Sequence, residues 1–158
     1  MPTPQMLEEQ GLLRKIEVEL DADEQPQRLI YAHPRAIAWL DEILPNLETD
    51  GYVSGALKPE EQADALFYQF IVGAAAMQMA PNCLRPEIEG VWELRTHDLR
   101  FFGWFWRKCV FVIASIEQAK RCKDLRLYPG HRDQAKRDRE ALDLDPPKFI
   151  PGDLEDVL

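Results

Sequence analysis

GVWELRTHDLRFFGWFWRKCVFVIASIEQAKR, residues 90–121, reads as strands and ends in cations. Three strands are predicted, at about 87–95, 99–107 and 109–115. Thr96-His97-Asp98 and Arg107-Lys108 are the short connections expected of antiparallel hairpins. Along LRFFGWFW, period-2 alternation places Arg100, Phe102, Trp104 and Trp106 on one face and Leu99, Phe101 and Phe105 on the other. Val110-Phe111-Val112-Ile113 has no polar alternation, which predicts an interior strand covered on both faces. Beyond Ile116 two readings stay open. Ser115 with Gln118 forms a capping-box pattern that would open a helix; alternatively the strand runs on to a loop ending at Tyr128-Pro129-Gly130.

Working toward the N-terminus, Pro81-Asn82 is a stop signal for a helix that follows Pro59. Ala63, Leu66, Phe67, Phe70, Ile71, Ala74 and Met77 give that helix a broad apolar stripe, and Glu60 and Glu61 suit its positive N-terminal end. The segment LETDGYVSGALK, with glycines at 51 and 55, reads as a loop. An earlier helix is predicted from Pro34, whose fixed φ suits a first helical position, with Ile37, Leu40, Ile43, Leu44 and Leu47 on one stripe. Pro45 ends or kinks it. His33, just before Pro34, reads as a helix-start residue. Ile16-Glu17-Val18-Glu19-Leu20 alternates like a half-buried strand, and Leu29-Ile30-Tyr31 is its extension or its replacement. A last helix is predicted at about 132–142. The tail LDPPKFIPGDLEDVL reads as an arm able to lie over the basic residues 120–139.

A chain of 158 residues fits one domain with short arms. The expected division is a mobile N-terminal arm at 1–11, a domain at 12–142 and an acidic, proline-containing tail at 143–158. No apolar run reaches the ~18 residues that span a bilayer, and the acidic start is no secretory signal, so a cytoplasmic protein is expected. Cys83, Cys109 and Cys122 are odd in number and irregularly spaced, which suits reduced thiols; a zinc site built from them with His97 or His131 lacks any C-x-x-C pair. The net charge is −9, but it is unevenly spread: residues 1–90 hold 6 Lys/Arg and 16 Asp/Glu, residues 91–140 hold 12 and 7, and residues 141–158 hold 1 and 5. A local cationic face binds phosphates even on an acidic chain, because exposed charges are screened beyond about 10 Å.

Gly90-Val-Trp-Glu-Leu-Arg95, the Arg-led aromatic strand at 100–106 and Val-Phe-Val-Ile at 110–113 resemble the core of the RelE/HigB toxin superfamily, and its phage-derived HigB-like branch most of all. The resemblance covers roughly residues 12–140. It implies an α+β fold: a small antiparallel sheet with two N-terminal helices packed on it and a C-terminal helix, the RelE-like arrangement. It also implies a metal-independent endoribonuclease of toxin–antitoxin type, without cofactor, that cuts mRNA on the ribosome and is paired with a cognate antitoxin.

A metal-free ribonuclease needs a base for the 2′-OH proton, a cation for the phosphate and an acid for the leaving oxygen. The candidate catalytic residues are Arg100, Lys120, Arg121, Tyr128 and His131. Arg100 occupies the place where the resembled family binds the scissile phosphate. Residues 120–139 hold eight Lys/Arg against three Asp, and Arg95, Lys123, Arg126, Arg132 and Lys136 are the candidate RNA-binding cations. The plainer reading of such a charge run is a solvated face. Gly103 stands where the phage-derived branch has an aromatic residue, Ala114 where a His often follows the last strand, and Gln118-Ala119 where a Lys pair falls. These departures support the alternative, a catalytically degenerate, phage- or prophage-encoded interaction protein that binds a host protein through its acidic surface. No glycine-rich phosphate loop, G-x-S-x-G or H-E-x-x-H occurs, and no membrane partner is indicated.

Overall fold

The computed structural model describes residues 2–49, 57–74, 77 and 79–158. Among these residues six strands form one sheet: β1 (Arg14–Lys15), β2 (Leu29–Ala32), β3 (Asn82–Cys83), β4 (Trp92–Arg95), β5 (Leu99–Arg107) and β6 (Val110–Gln118). Their spatial order is β1-β2-β6-β5-β4-β3. The sheet is mixed, which corrects the expected all-antiparallel one. The hairpins β4–β5 and β5–β6 are antiparallel as expected, but β2 runs parallel to β6, with Leu29 opposite Val110 and Ala32 opposite Ile113. Residues 33–109, including two helices, lie between those paired strands, and a long crossover of that kind is what a parallel pair requires.

The helices are α1 (Pro4–Glu9), α2 (Pro34–Glu42), α3 (Pro59–Ile71), α4 (Ala119–Asp124), α5 (Tyr128–Ala141) and α6 (Leu154–Val157). Proline opens α1, α2 and α3, where a missing N–H is harmless. His33 caps α2, its Nδ1 accepting from Arg35 N at 3.1 Å. Pro45 sits in a 3-10 turn at Leu44–Asn46 that ends the α2 segment. The helix α3 stops at Ile71, short of the predicted stripe, because Gly73 turns the chain at φ +75°; Ala74 and Met77 lie in the loop beyond it. Residues 50–56 of the glycine-containing loop fall outside the described residues.

Two apolar clusters hold the sheet between helical layers. Phe67 and Phe70 of α3 pack on Phe101, Phe105 and Phe111. On the opposite face Tyr31, Trp104, Val112 and Ala114 meet Leu7 of α1 and Ala135 of α5. The β6 strand contributes Phe111 and Ile113 to one cluster and Val112 and Ala114 to the other. It lies between β2 and β5, covered on both sides, as its uninterrupted apolar run predicts.

Several sequence expectations are corrected by packing. The strand expected at 16–20 does not form there: the paired segment is the shorter Arg14–Lys15 just before it, with Ile16 N donating to Ile30 O at 2.8 Å, and β2 is the longer of the two. Beyond Ile116 each reading holds in part: β6 runs to Gln118 with Ser115 as a strand residue, and a helix, α4, then opens at Ala119 with Gln118 as its N-cap in place of the expected loop. Tyr128-Pro129-Gly130 opens α5 rather than ending a loop, with proline again in the first turn. The N-terminal segment is docked, since Thr3 caps α1 and Leu7 is 1% exposed.

The C-terminal tail is docked as well, because its scattered apolar residues find matching positions. Leu144 and Val157 are buried. Ile150 N donates to Phe105 O at 2.9 Å, and Val157 O accepts from Cys109 N at 2.7 Å. Trp106 and Arg107 donate to the Asp145 carbonyl. Phe149 lies over Gly90, where a Cβ would come within 2.3 Å of its ring. The tail therefore closes the Trp106–Cys109 end of the sheet.

Candidate functional site

Alternation and register on β4, β5 and β6 place two polar rows across the face that α5 covers. One row runs Glu93–Phe102–Ser115 and the other Arg95–Arg100–Glu117, each residue opposite its neighbour on the next strand. The residues between them, including Leu94, Leu99, Phe101 and Ile116, point into the apolar cluster beneath α3. Tyr128 and His131, three apart at the start of α5, lie on one helix face and close over the rows. The Phe102 ring takes both, with Tyr128 edge-on at 5.7 Å and His131 stacked at 4.6 Å and 8°.

Glu117 is the hub of this cluster. Its Oε1 accepts from Arg121 Nε and from Gln118 N, both at 3.0 Å. Its Oε2 lies 3.5 Å from His131 Nε2, and His131 Nδ1 is 2.7 Å from Ser115 Oγ. Burial lowers the His131 pKa below 6.5 against the opposing pull of Glu117, so the imidazole is neutral at pH 7. Arg100 is 5% exposed. Its Nη1 donates to the carbonyls of Thr96 and Leu99, and its Nε donates to Tyr128 Oη at 3.3 Å. The phenol accepts that bond, leaving its own proton available to a third group.

Glu93 is 3% exposed, and its Oε2 has no hydrogen-bond partner. Its Oε1 lies 3.5 Å from Asn82 Nδ2 and 3.9 Å from Arg95 Nε. Burial pushes the Glu93 pKa up, with Arg100 and Arg95 acting against the shift.

The sequence-predicted residues divide. Arg100, Tyr128 and His131 come together around Phe102, and Arg121 joins them through Glu117. Lys120 instead lines a groove of about 850 Å³ with Arg100, Lys123, His97, Asp98 and Gln118. Arg95 is turned to the Ala80 carbonyl at 2.8 Å. Arg126 is exposed in the link between α4 and α5, at φ +55°. Arg132 and Lys136 point to Glu89, Lys136 at 2.8 Å and Arg132 at 3.9 Å. Buried Asp138 pairs with Arg35 of α2 at 2.9 Å. The basic block is thus several local arrangements, much of it paired with acids brought in from other elements.

The departures from the resembled pattern have physical reasons in this chain. A Cβ at Gly103 would fall 1.8 Å from the Val112 carbonyl oxygen, beside a register shift in the β5–β6 pairing, so no aromatic fits there. Ala114 is fully buried between the sheet and its covering layer. Ala119 is buried too, with its N–H on the Asp98 carbonyl at 2.7 Å.

Glu117, Ser115 and Glu93 escaped the sequence reading. Their signal was the register: Ser115 and Glu117 are two apart on β6, on the face they share with Arg100. Among the described residues, no group of three or more His, Cys, Asp or Glu is placed to hold a metal ion, and no helix is long and apolar enough to cross a membrane. Set against known protein families, curated proteins and solved structures, the chain finds no match.

Proposed function

We propose that this protein is a metal-independent endoribonuclease of the RelE/HigB type. It would cut mRNA on the ribosome in the cytoplasm and be held in check by a cognate antitoxin. The observation that carries the reading is the convergence on one sheet face of a carboxylate (Glu117), an imidazole (His131), two guanidinium groups (Arg100, Arg121) and a phenol (Tyr128), contributed by β5, β6, α4 and α5. The order of the long elements (strand, two helices, three strands, helix) supports the RelE-like arrangement as part of the same proposal.

In this mechanism Glu117 takes the proton of the ribose 2′-OH, with His131 and Gln118 N holding the carboxylate in place. The 2′-oxygen bonds to phosphorus, the bond to the 5′-oxygen breaks, and Tyr128 donates its proton to that leaving oxygen. The products are a 2′,3′-cyclic phosphate and a free 5′-OH. Arg121, with Lys120 and Lys123 along the groove, holds the phosphate charge; Arg100 polarises the Tyr128 phenol. General acid–base groups of this kind contribute roughly 10²–10⁴-fold each.

The test is induced expression with growth measured, followed by translation in vitro with primer extension to find cut sites. Growth arrest, discrete cuts and cyclic-phosphate ends support the reading, and Glu117→Gln should abolish the cuts. A second reading rests on the satisfaction of Arg100 by two main-chain carbonyls: a non-catalytic relative that binds a host protein through its acidic surface. Normal growth with intact RNA, together with a specific protein partner on pull-down, favours that one.

A further inference from the structure

Beside the proposed cleavage centre, on the other side of Tyr128, lies a cleft of about 320 Å³ lined by Asn82, Leu84, Arg85, Glu93, Tyr128, Pro129 and Arg132. That volume is at the lower end of pockets that hold small ligands, roughly 300–1,000 Å³. Its buried wall is Glu93, whose Oε2 lacks a partner. An unsatisfied buried carboxylate is destabilising, and Arg100, Arg95 and Lys123 offset it through their charge without bonding Oε2: neighbouring Trp92 and Leu94 point into the apolar cluster, and Oε1 makes only long contacts. The oxygen is an acceptor waiting for an N–H donor.

We propose that this cleft is a guanine-binding subsite, in which Glu93 accepts hydrogen bonds from the Watson–Crick edge of the base next to the cleaved bond. The inference rests on the ribonuclease reading and names its base preference. A carboxylate only accepts, so it needs donors with no lone pair beside them. Guanine alone offers two adjacent donors, N1–H and the N2 amino group. The N3–H of uracil sits between two carbonyls, and the amino groups of adenine and cytosine adjoin a ring-nitrogen lone pair; each would face the carboxylate with repulsion.

The rest of the lining fits the same base. Arginine matches the O6 and N7 acceptors of guanine. Arg132 is held at the cleft by its Nη1 bond to the Arg85 carbonyl at 3.0 Å. Tyr128 and Pro129 present ring surfaces against which a base can stack. Tyr128 belongs to both the cleft and the Arg100 contact, so a base seated in the cleft brings its own phosphate toward the catalytic cluster.

The experiment is binding of the four nucleoside 3′-monophosphates to the full-length protein by calorimetry, beside Glu93→Gln and Arg132→Ala, with folding checked by circular dichroism. The expected result is a preference for guanosine 3′-monophosphate of about tenfold or more, on the scale of one good bidentate base contact. Glu93→Gln should erase the preference, and Arg132→Ala should weaken guanosine binding selectively. Equal binding of all four nucleotides by the unaltered protein overturns the proposal, as does a preference that survives in folded Glu93→Gln protein. The two readings fail separately. Glu93-dependent guanosine binding with intact RNA leaves the subsite standing and removes the cleavage; RNA cut without base preference by a protein that binds all four equally does the reverse.

Discussion

On the face of the sheet beneath α3, five phenylalanines interlock within a large apolar cluster; on the opposite face, over β4 to β6, Glu93, Arg95, Arg100, Ser115 and Glu117 surround Phe102. Both faces are covered by helix and both are largely dry. The first is what stability alone selects, since buried apolar area is its main favourable term. The second is not, because replacing buried charged groups by apolar ones of similar shape is often neutral or stabilising. A polar cluster held at a buried position, with one carboxylate oxygen unmatched, is therefore the part of the molecule that stability alone explains least.

The sharpest break of this contrast comes from truncation on the apolar face. Phe105→Ala, at a fully buried position in contact with Trp92, Phe70 and Phe111, should destabilise by about 3–5 kcal/mol in urea unfolding. Glu117→Gln on the polar face should reduce RNA cleavage by roughly 10²–10⁴-fold in single-turnover assays while the protein stays folded. A Glu117→Gln protein that cuts normally would return the whole polar face to a structural role.

The docked tail offers a third comparison, with the free arm that its composition predicts. Leu144→Ala should cost about 2–5 kcal/mol because Leu144 is 1% exposed; a free arm would show no change.

The pH dependence of Glu93 separates the faces further. Its folded pKa is raised by burial, so ionisation disfavours the fold: wild-type stability falls as pH rises from the ordinary carboxylate value of 4.5 up through the raised pKa. Measured against Glu93→Gln by urea titration at several pH values, the wild-type deficit should grow across that window and then level off. His131 acts in the opposite direction: its lowered pKa makes stability decline as pH falls below 6.5. Its NMR titration should have a midpoint below that value. The smallest effect belongs to the groove. Lys120→Ala should lower the slope of log K against log salt for single-stranded RNA by about 0.7, the share of one phosphate contact.

Most of the hairpin core was legible in residues 90–118, because period-2 alternation and short polar connections are local properties. The same holds for the helices that open at Pro34 and Pro59. Tyr128-Pro129-Gly130 misled in isolation, since proline and glycine mark a turn and a helix start alike; the apolar contact of Ala135 and the stacking of Tyr128 and His131 on Phe102 decide for helix. The tail misled for a related reason. Its apolar residues are too sparse to show a period, and only the matching hollows beside Phe105, Cys109 and Gly90 give them a place.

By itself the sequence determined the hairpins, the interior position of Val110–Ile113, the two N-terminal helices and the candidacy of Arg100, Arg121, Tyr128 and His131. Alternation, proline geometry and residue chemistry are carried by near neighbours, so one chain read alone displays them. Only the tertiary structure decided that β2 lies parallel to β6, that Glu117 joins Arg121 to His131, that Lys120 lines a groove with Arg100 and Lys123, and that Glu93 borders a cleft with one buried oxygen unmatched. Each of those depends on register and crossover, which bring together residues far apart in the chain and leave no periodic trace within it.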